Sequence, residues 1–195
     1  TNSGQLEFLA RTILEQIGIA YEEDDSKGLL EELIGEFGNC FPKTALFSSF
    51  ARSLVKDVDP ISEPDVALLK WFDMDEKLFF LMEENIVKER LQQGFVENGE
   101  VNVKMFINFS LSVQNRRKSR AGYSLENHIC ALLDANGIEY SHPPVTENRS
   151  KPDFLFPNIE CYRNMNFNAA NLTMLGAKKI FRCNICFVIN IKKIC

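Results

Sequence analysis

Glu126, Asp153 and Lys178 are residues whose types match the parts needed to hydrolyse a phosphodiester. That reaction needs one or two hard cations held by carboxylates, a water nucleophile, and positive charge against the developing phosphorane. Glu126 and Asp153 can hold the cation, and Lys178 can stabilise the attacking water or the phosphorane. The pattern alone is weak, because a surface strand can also open on Pro-Asp and most lysines are simply solvated.

The local sequence supplies elements to position these side chains. Ser124 can cap a helix with an apolar stripe of Leu125, Ile129, Leu132 and Leu133, which puts Glu126 in its first turn, near a positive helix end. Asp134-Ala135-Asn136-Gly137 stops that helix, and Ile138-Glu139-Tyr140 begins a strand that Pro143-Pro144 ends. Pro152 suits the first residue of a further strand through Phe154, Leu155 and Phe156, with Asp153 at its mouth. A second short strand, Leu172-Thr173-Met174-Leu175-Gly176-Ala177-Lys178, ends on the lysine.

Upstream lies a basic run, Asn115-Arg116-Arg117-Lys118-Ser119-Arg120. Its bland reading is a solvated helix end, where cations interact favourably with the dipole. Its sharper reading is an arm that touches DNA through Arg116, Arg117, Lys118 and Arg120. Val103, Phe106, Ile107, Phe109 and Leu111 tether the run to a buried support.

Four motifs in order carry a resemblance. They are Ser112-Val113-Gln114-Asn115-Arg116-Arg117-Lys118-Ser119-Arg120-Ala121-Gly122, then Leu125-Glu126-Asn127-His128, then residues 145–157 with Lys151-Pro152-Asp153-Phe154-Leu155-Phe156-Pro157, then 172–178. Together they resemble the catalytic domain of EcoRII-type restriction endonucleases. Asn39-Cys40-Phe41-Pro42-Lys43-Thr44 and the helical stretch 67–95 extend the likeness over most of the chain from about residue 35.

The resemblance implies an α/β (α+β) fold of the restriction-endonuclease type: a central mixed sheet flanked by helices and preceded by a helical N-terminal region. It implies a Mg²⁺-dependent type II enzyme of the PD-(D/E)xK class that cuts double-stranded DNA at a short site with a CC and GG core, within a restriction-modification system. Glu126, Asp153 and Lys178 fall on the family's catalytic positions, with Asp153 and Glu126 as metal ligands. Residues 116–120 fall on a base-recognition segment; arginine can pair bidentately with guanine O6 and N7, and Arg117 and Arg120 are the candidates. A homodimer follows from the likeness and from the need to cut two antiparallel strands.

One departure stands out. After the lysine, the family carries Cys-Lys-x-Arg-Trp and another functional carboxylate. Here Lys178 is followed by Lys179-Ile180-Phe181-Arg182-Cys183-Asn184-Ile185-Cys186, and no Asp or Glu occurs after Glu160. A second reading is therefore a DNA-binding remnant that does not cut. A third, from another class, is a helical interaction module whose front half forms an oligomer surface.

The 195 residues suffice for one substantial core, here one domain with a mainly helical part (1–100), an arm and catalytic core (101–180) and a divergent tail (181–195). A net charge of −5 argues against indiscriminate coating of DNA, though not against a site-specific enzyme with its cations gathered in one cleft. No apolar run reaches the roughly 20 residues that span a bilayer, and the six cysteines form no regular framework, so a reducing cytoplasm is expected. The chain opens at Thr1, as a processed terminus or a fragment would.

In the front half, helices are expected over 6–17, from a Ser26 cap to Gly38, over 44–55, from Pro64, and again over 78–91, with a loop at 94–99. Glu22-Glu23-Asp24-Asp25 and Asp57-Val58-Asp59-Pro60 suit solvated turns better than metal sites. His128 and His142 suit packing or surface positions better than a catalytic base. Cys183-x-x-Cys186 lacks the second close pair that structural zinc needs.

Overall fold

The computed structural model describes residues 25–146 and 151–177. The expected helix over 6–17, Lys178 and the Cys183-x-x-Cys186 pair lie outside them. Helix α1 (Ser26–Phe37) stops at Gly38, whose φ of 66° suits a residue without a Cβ. Its N-cap is Asp25, one residue before the expected Ser26. Helix α2 (Thr44–Leu54) follows.

Helix α3 (Pro64–Gln93) is one element of 30 residues where two helices were expected. Beyond Pro64 at its first turn, neither proline nor glycine interrupts the chain before Gly94, so nothing breaks the backbone ladder at Asp73 and Asp75. Gly94 then ends it.

The expected loop at 94–99 contains a hairpin of β1 (Val96–Glu97) and β2 (Glu100–Val101). Asn98 and Gly99 turn it with φ of 54° and 84°, both positive as a two-residue turn of this hand requires.

Helix α4 (Val103–Ala135) runs 33 residues through the basic segment. Its cap is Asn102, whose side chain accepts from the Met105 amide at 2.9 Å. Ser124 is therefore not a cap: it sits 3% exposed in the helix interior, and Glu126 is far from the helix N-terminus. The reason is energetic, since the glycine at 122 costs a helix only about 1 kcal/mol, less than the packing of the apolar face beyond it contributes. The helix stops at Asn136 and Gly137, as expected.

Beyond α4, the strand expected from Ile138 reduces to one antiparallel bridge between Ser141 and Leu155. Strand β3 (Phe154–Phe156) pairs antiparallel with β4 (Thr173–Leu175), Phe154 opposite Leu175 and Phe156 opposite Thr173. Between them come the short helix α5 (Ile159–Arg163) and one 3₁₀ turn (Ala169–Asn171).

The fold is thus α+β, with a helical front half and, among the described residues, antiparallel strands. One core joins α1, α2 and α3 through Leu29, Leu33, Phe47, Ala51, Leu78, Phe79 and Met82. A second joins α3, α4 and β3 through Leu68, Phe72, Leu125, Ile129 and Phe154, with Leu175 and Ala177 packed against it. This second core joins the elements that carry Glu126 and Asp153. No described helix is long and apolar enough to cross a membrane.

Candidate active site

Asp153 directly precedes β3, whose Phe154 and Leu155 are fully buried. Burial of those two side chains fixes the strand, and with it the point at which Asp153 leaves the core. Asp153 Oδ2 accepts the Ala177 amide at 2.6 Å. The chain immediately before Lys178 is therefore fastened to Asp153, although Lys178 itself lies outside the described residues.

Glu126 comes from α4, between Leu125 and the Ile129 turn, both of which pack in the core that contains Phe154. Its carboxyl is pushed up from the usual range by burial first and by the charge of Asp153 second, with His142 opposing. The charge of Asp153 thus reaches the half-buried carboxylate of Glu126. Oxygen ligands whose charges are mutually unfavourable suit a hard divalent cation, which would offset both. Among the described residues no group of three or more acids, histidines or cysteines is gathered around one point.

His142 touches the Asp153 backbone and the Glu126 side chain. Its ring stacks on Phe154 at 4.6 Å between centroids, its Nδ1 lies 2.7 Å from the Asp153 carbonyl oxygen, and its Nε2 lies 3.5 Å from Glu126 Oε2. A carbonyl can only accept, so Nδ1 carries the hydrogen. The sequence expectation for a surface or packing histidine is half right: the ring packs, but both its nitrogens face the catalytic candidates. The signal in the sequence was faint, because the loop that brings His142 to Asp153 has no regular period.

The basic run lies mid-helix on α4, neither at a helix end nor in a separate arm. Lys118 is exposed. Arg117 is also exposed and is paired with Glu83, Nη2 to Oε2 at 2.5 Å, which raises its pKa. Arg116 is half-buried with its guanidinium 4.8 Å from the Phe41 ring, and its Nη1 has no hydrogen-bond partner among the described residues.

Arg120 is different. It is 7% exposed, paired with Asp75 Oδ1 at 2.6 Å, and held between the rings of Phe47 at 3.9 Å and Phe79 at 4.8 Å. In this conformation its donors face the core, so the expectation of a guanine contact from Arg120 does not match its position. Arg117 and Arg120, three residues apart, share one face of α4 and both reach acids on α3, Glu83 and Asp75, but the Asp75 end of that contact is the deeper one.

Asp75 was not singled out by its sequence context. It is buried, and its Oδ2 lies 3.2 Å from Nε2 of the fully buried His128, whose Nδ1 is 3.2 Å from Arg52 Nη1. Arginine can only donate, so Nδ1 accepts and Nε2 carries the hydrogen toward Asp75. Burial alone would raise the Asp75 carboxyl, but His128 and Arg120 outweigh it and bring it down to about 2. Desolvation holds His128 below its ordinary value. His128 is thus a core residue, as expected.

A sequence model described as EcoRII C terminal matches residues 79–188. The type II restriction enzyme EcoRII of Escherichia coli is 39% identical over 117 residues, which make up 60% of this chain and 28% of that enzyme. The chain therefore spans little more than a quarter of that relative's length. A solved structure of the restriction endonuclease PspGI in a substrate DNA complex aligns with 80% of this chain and 56% of that one, at 20% identity and a TM-score of 0.43.

Proposed function

Because this chain belongs to the EcoRII C-terminal family, we propose that it is the catalytic part of a type II restriction endonuclease. On this reading it hydrolyses both strands of DNA at a short site with a CC/GG core, in the cytoplasm, as a homodimer that presents one site to each strand. The observation that carries the reading is the packing of Leu125 and Ile129 on Phe154, which brings Glu126 within reach of the Asp153 charge, with the Ala177 amide bonded to Asp153 one residue before Lys178.

Asp153 and Glu126 would hold Mg²⁺, and such an ion supplies charge against the phosphoryl oxygens and acidifies a water nucleophile. The residues themselves have separate tasks. Asp153 presents an oxygen from a strand end that cannot shift without disturbing buried Phe154 and Leu155. Glu126 contributes a carboxylate that burial and the charge of Asp153 hold above the usual range, and a positive charge at this point would relieve it. Lys178 would place its ammonium against the phosphorane. Arg116, Arg117 and Lys118 would engage the duplex, with Arg120 holding their helix against α3 through Asp75.

Digestion of a plasmid mixture rich in CC/GG sites with Mg²⁺, beside the Asp153→Ala and Lys178→Ala proteins, tests the proposal. Discrete fragments from the parent alone support it; no cutting by any of the three defeats it. The absence of acidic residues after Glu160 favours a second reading, a remnant that binds the site without cutting. Retained site-specific binding by an uncleaving parent would select that reading.

A further inference from the structure

Helix α4 is apolar on two sides over its first half. Met105, Phe109 and Val113 are half-buried and make the side that turns toward the body of the fold. Met105 Sδ lies 2.9 Å from Arg90 Nη2 of α3, and the Phe109 ring lies 5.6 Å from that of Phe95. Arg116 and Arg120 continue that side onto Phe41, Phe47 and Phe79. Val103, Ile107 and Leu111 each stand two residues before one of the first three, about 200° round the helix, and so form the opposite side. They are 61%, 49% and 51% exposed, and Phe106 beside them is 46% exposed.

A helix with one apolar stripe needs one cover, and a helix that is apolar all round needs more. The second stripe of α4 therefore stands to gain from burial. Val96 and Val101, paired in the hairpin just before α4, are exposed as well. Together these six side chains offer on the order of 500 Å² of apolar surface. A specific interface takes about 800 Å² from each partner, of which roughly 60% is apolar. The patch thus has the size that one interface uses.

Between residues 103 and 115 the only charged residue is Lys104. Such a stripe selects neither a polyanion nor a charged peptide, but it can pair with a copy of itself without opposing like charges. We propose that a second copy of the chain docks on this stripe, the two α4 helices packing antiparallel about a two-fold axis midway between Ile107 and Leu111. Ile107 then meets Leu111 of the partner subunit, and by symmetry Leu111 meets the partner's Ile107. Antiparallel pairing keeps the two basic runs at 116–118 apart, whereas parallel pairing would set like charges side by side. The stripe ends at Leu111, so each run stays open to DNA. The inference rests on the homodimer of the proposed function, to which it adds the surface.

The test is the solution mass of the full chain by sedimentation at micromolar concentration, without DNA or metal. The parent should sediment as two chains. Ile107→Lys and Leu111→Glu each place an unpaired charge twice in the interface, and each should weaken association at least about a hundredfold and sediment as one chain. In a mixture of the two variants, the introduced ammonium meets the introduced carboxylate at one contact and the native pair survives at the other. A mass of two chains should therefore return. A monomeric parent, folded single variants that stay dimeric, or a mixture that remains monomeric overturns the proposal. A monomeric parent would assign the cover of the stripe to another molecule or to residues 1–24 or 178–195. Should a variant fail to fold, hydroxyl-radical footprinting of the parent decides: Phe106 and Leu111 must lose reactivity as the chain is concentrated, and unchanged reactivity rejects the surface. Failure here is separable from failure of the nuclease reading. A dimer through α4 that does not cut DNA sinks that reading alone, and a cutting enzyme whose dimer survives both substitutions sinks this one alone.

Discussion

Ala177 donates its backbone amide to the Asp153 carboxylate at 2.6 Å, so one bond joins the acid at the head of β3 to the residue before Lys178. Charge and scaffold therefore meet in one side chain, and two substitutions separate them. Asp153→Asn keeps an oxygen for the amide but removes the charge. It should lose at least about a hundredfold in cleavage rate, with thermal stability little changed. Asp153→Ala removes the acceptor as well and should also lose about 1–3 kcal/mol of stability by leaving a part-buried N–H unpaired. Cleavage assays with denaturant melts on both variants check this; equal melts for the two would show that the bond contributes nothing.

Arg120 and Lys118 should fail in opposite ways when truncated. Arg120→Ala leaves Asp75 buried beside His128 without its guanidinium, and breaking a buried pair costs about 3–5 kcal/mol. Lys118→Ala should barely move the melt, since its side chain is exposed; it should instead weaken duplex binding and reduce the salt dependence of the affinity by about one counterion. Arg117→Ala should weaken binding in the same way but also strip the buried Glu83 carboxylate of its partner, at about 1–3 kcal/mol of stability. Binding isotherms at several salt concentrations, run beside urea melts, distinguish the two classes. A destabilised Lys118→Ala protein would contradict the placement of that residue.

What the sequence revealed follows the range of the interactions involved. Strand β3 beginning at Phe154, the strand through Thr173 to Leu175 and the stops at Gly38 and Gly137 are encoded by neighbours a few residues apart, and all appear. The apparent cap at Ser124 was misleading, because a cap residue works as one only where the helix has another reason to end. Packing against α3 carried α4 through Ser124 instead. The position of Arg120 and the approach of His142 to Glu126 depend on residues 45 and 16 positions away, which no local pattern reports. The catalytic candidates came from the four ordered motifs rather than from any single element, and their roles are the proposal made above.

Gly122 is a place where the chain tolerates less stability than it could have. It lies in the interior of α4, and a Cβ there would meet only Glu126 Oε1 at 3.9 Å, an ordinary contact. Gly122→Ala should therefore stabilise the protein by about 0.5–1 kcal/mol through the lower entropy of the unfolded chain. A urea melt reads the gain. A loss of stability would show that the helix at this point is bent or packed more tightly than its contacts indicate.

The buried Asp75–His128 contact predicts how stability responds to acid. His128 has a folded pKa below its ordinary 6.5, so the unfolded chain takes up a proton first as pH falls, and stability present above 6.5 declines below it. Asp75, depressed from 3.8 to about 2, contributes stability above pH 3.8 that is lost as pH falls toward 2, on the order of 2 kcal/mol. Glu126 has the opposite sign: its folded pKa is raised, so the stability it adds is complete below its ordinary 4.5 and is lost as pH rises through the folded value. Because these contributions overlap, the clean measurement is a difference. Urea melts between pH 8 and pH 3 on the parent and on His128→Gln should show the parent losing ground to the variant below about pH 6.5. Parallel curves for the two proteins across that window would mean that His128 titrates in the fold as it does in water.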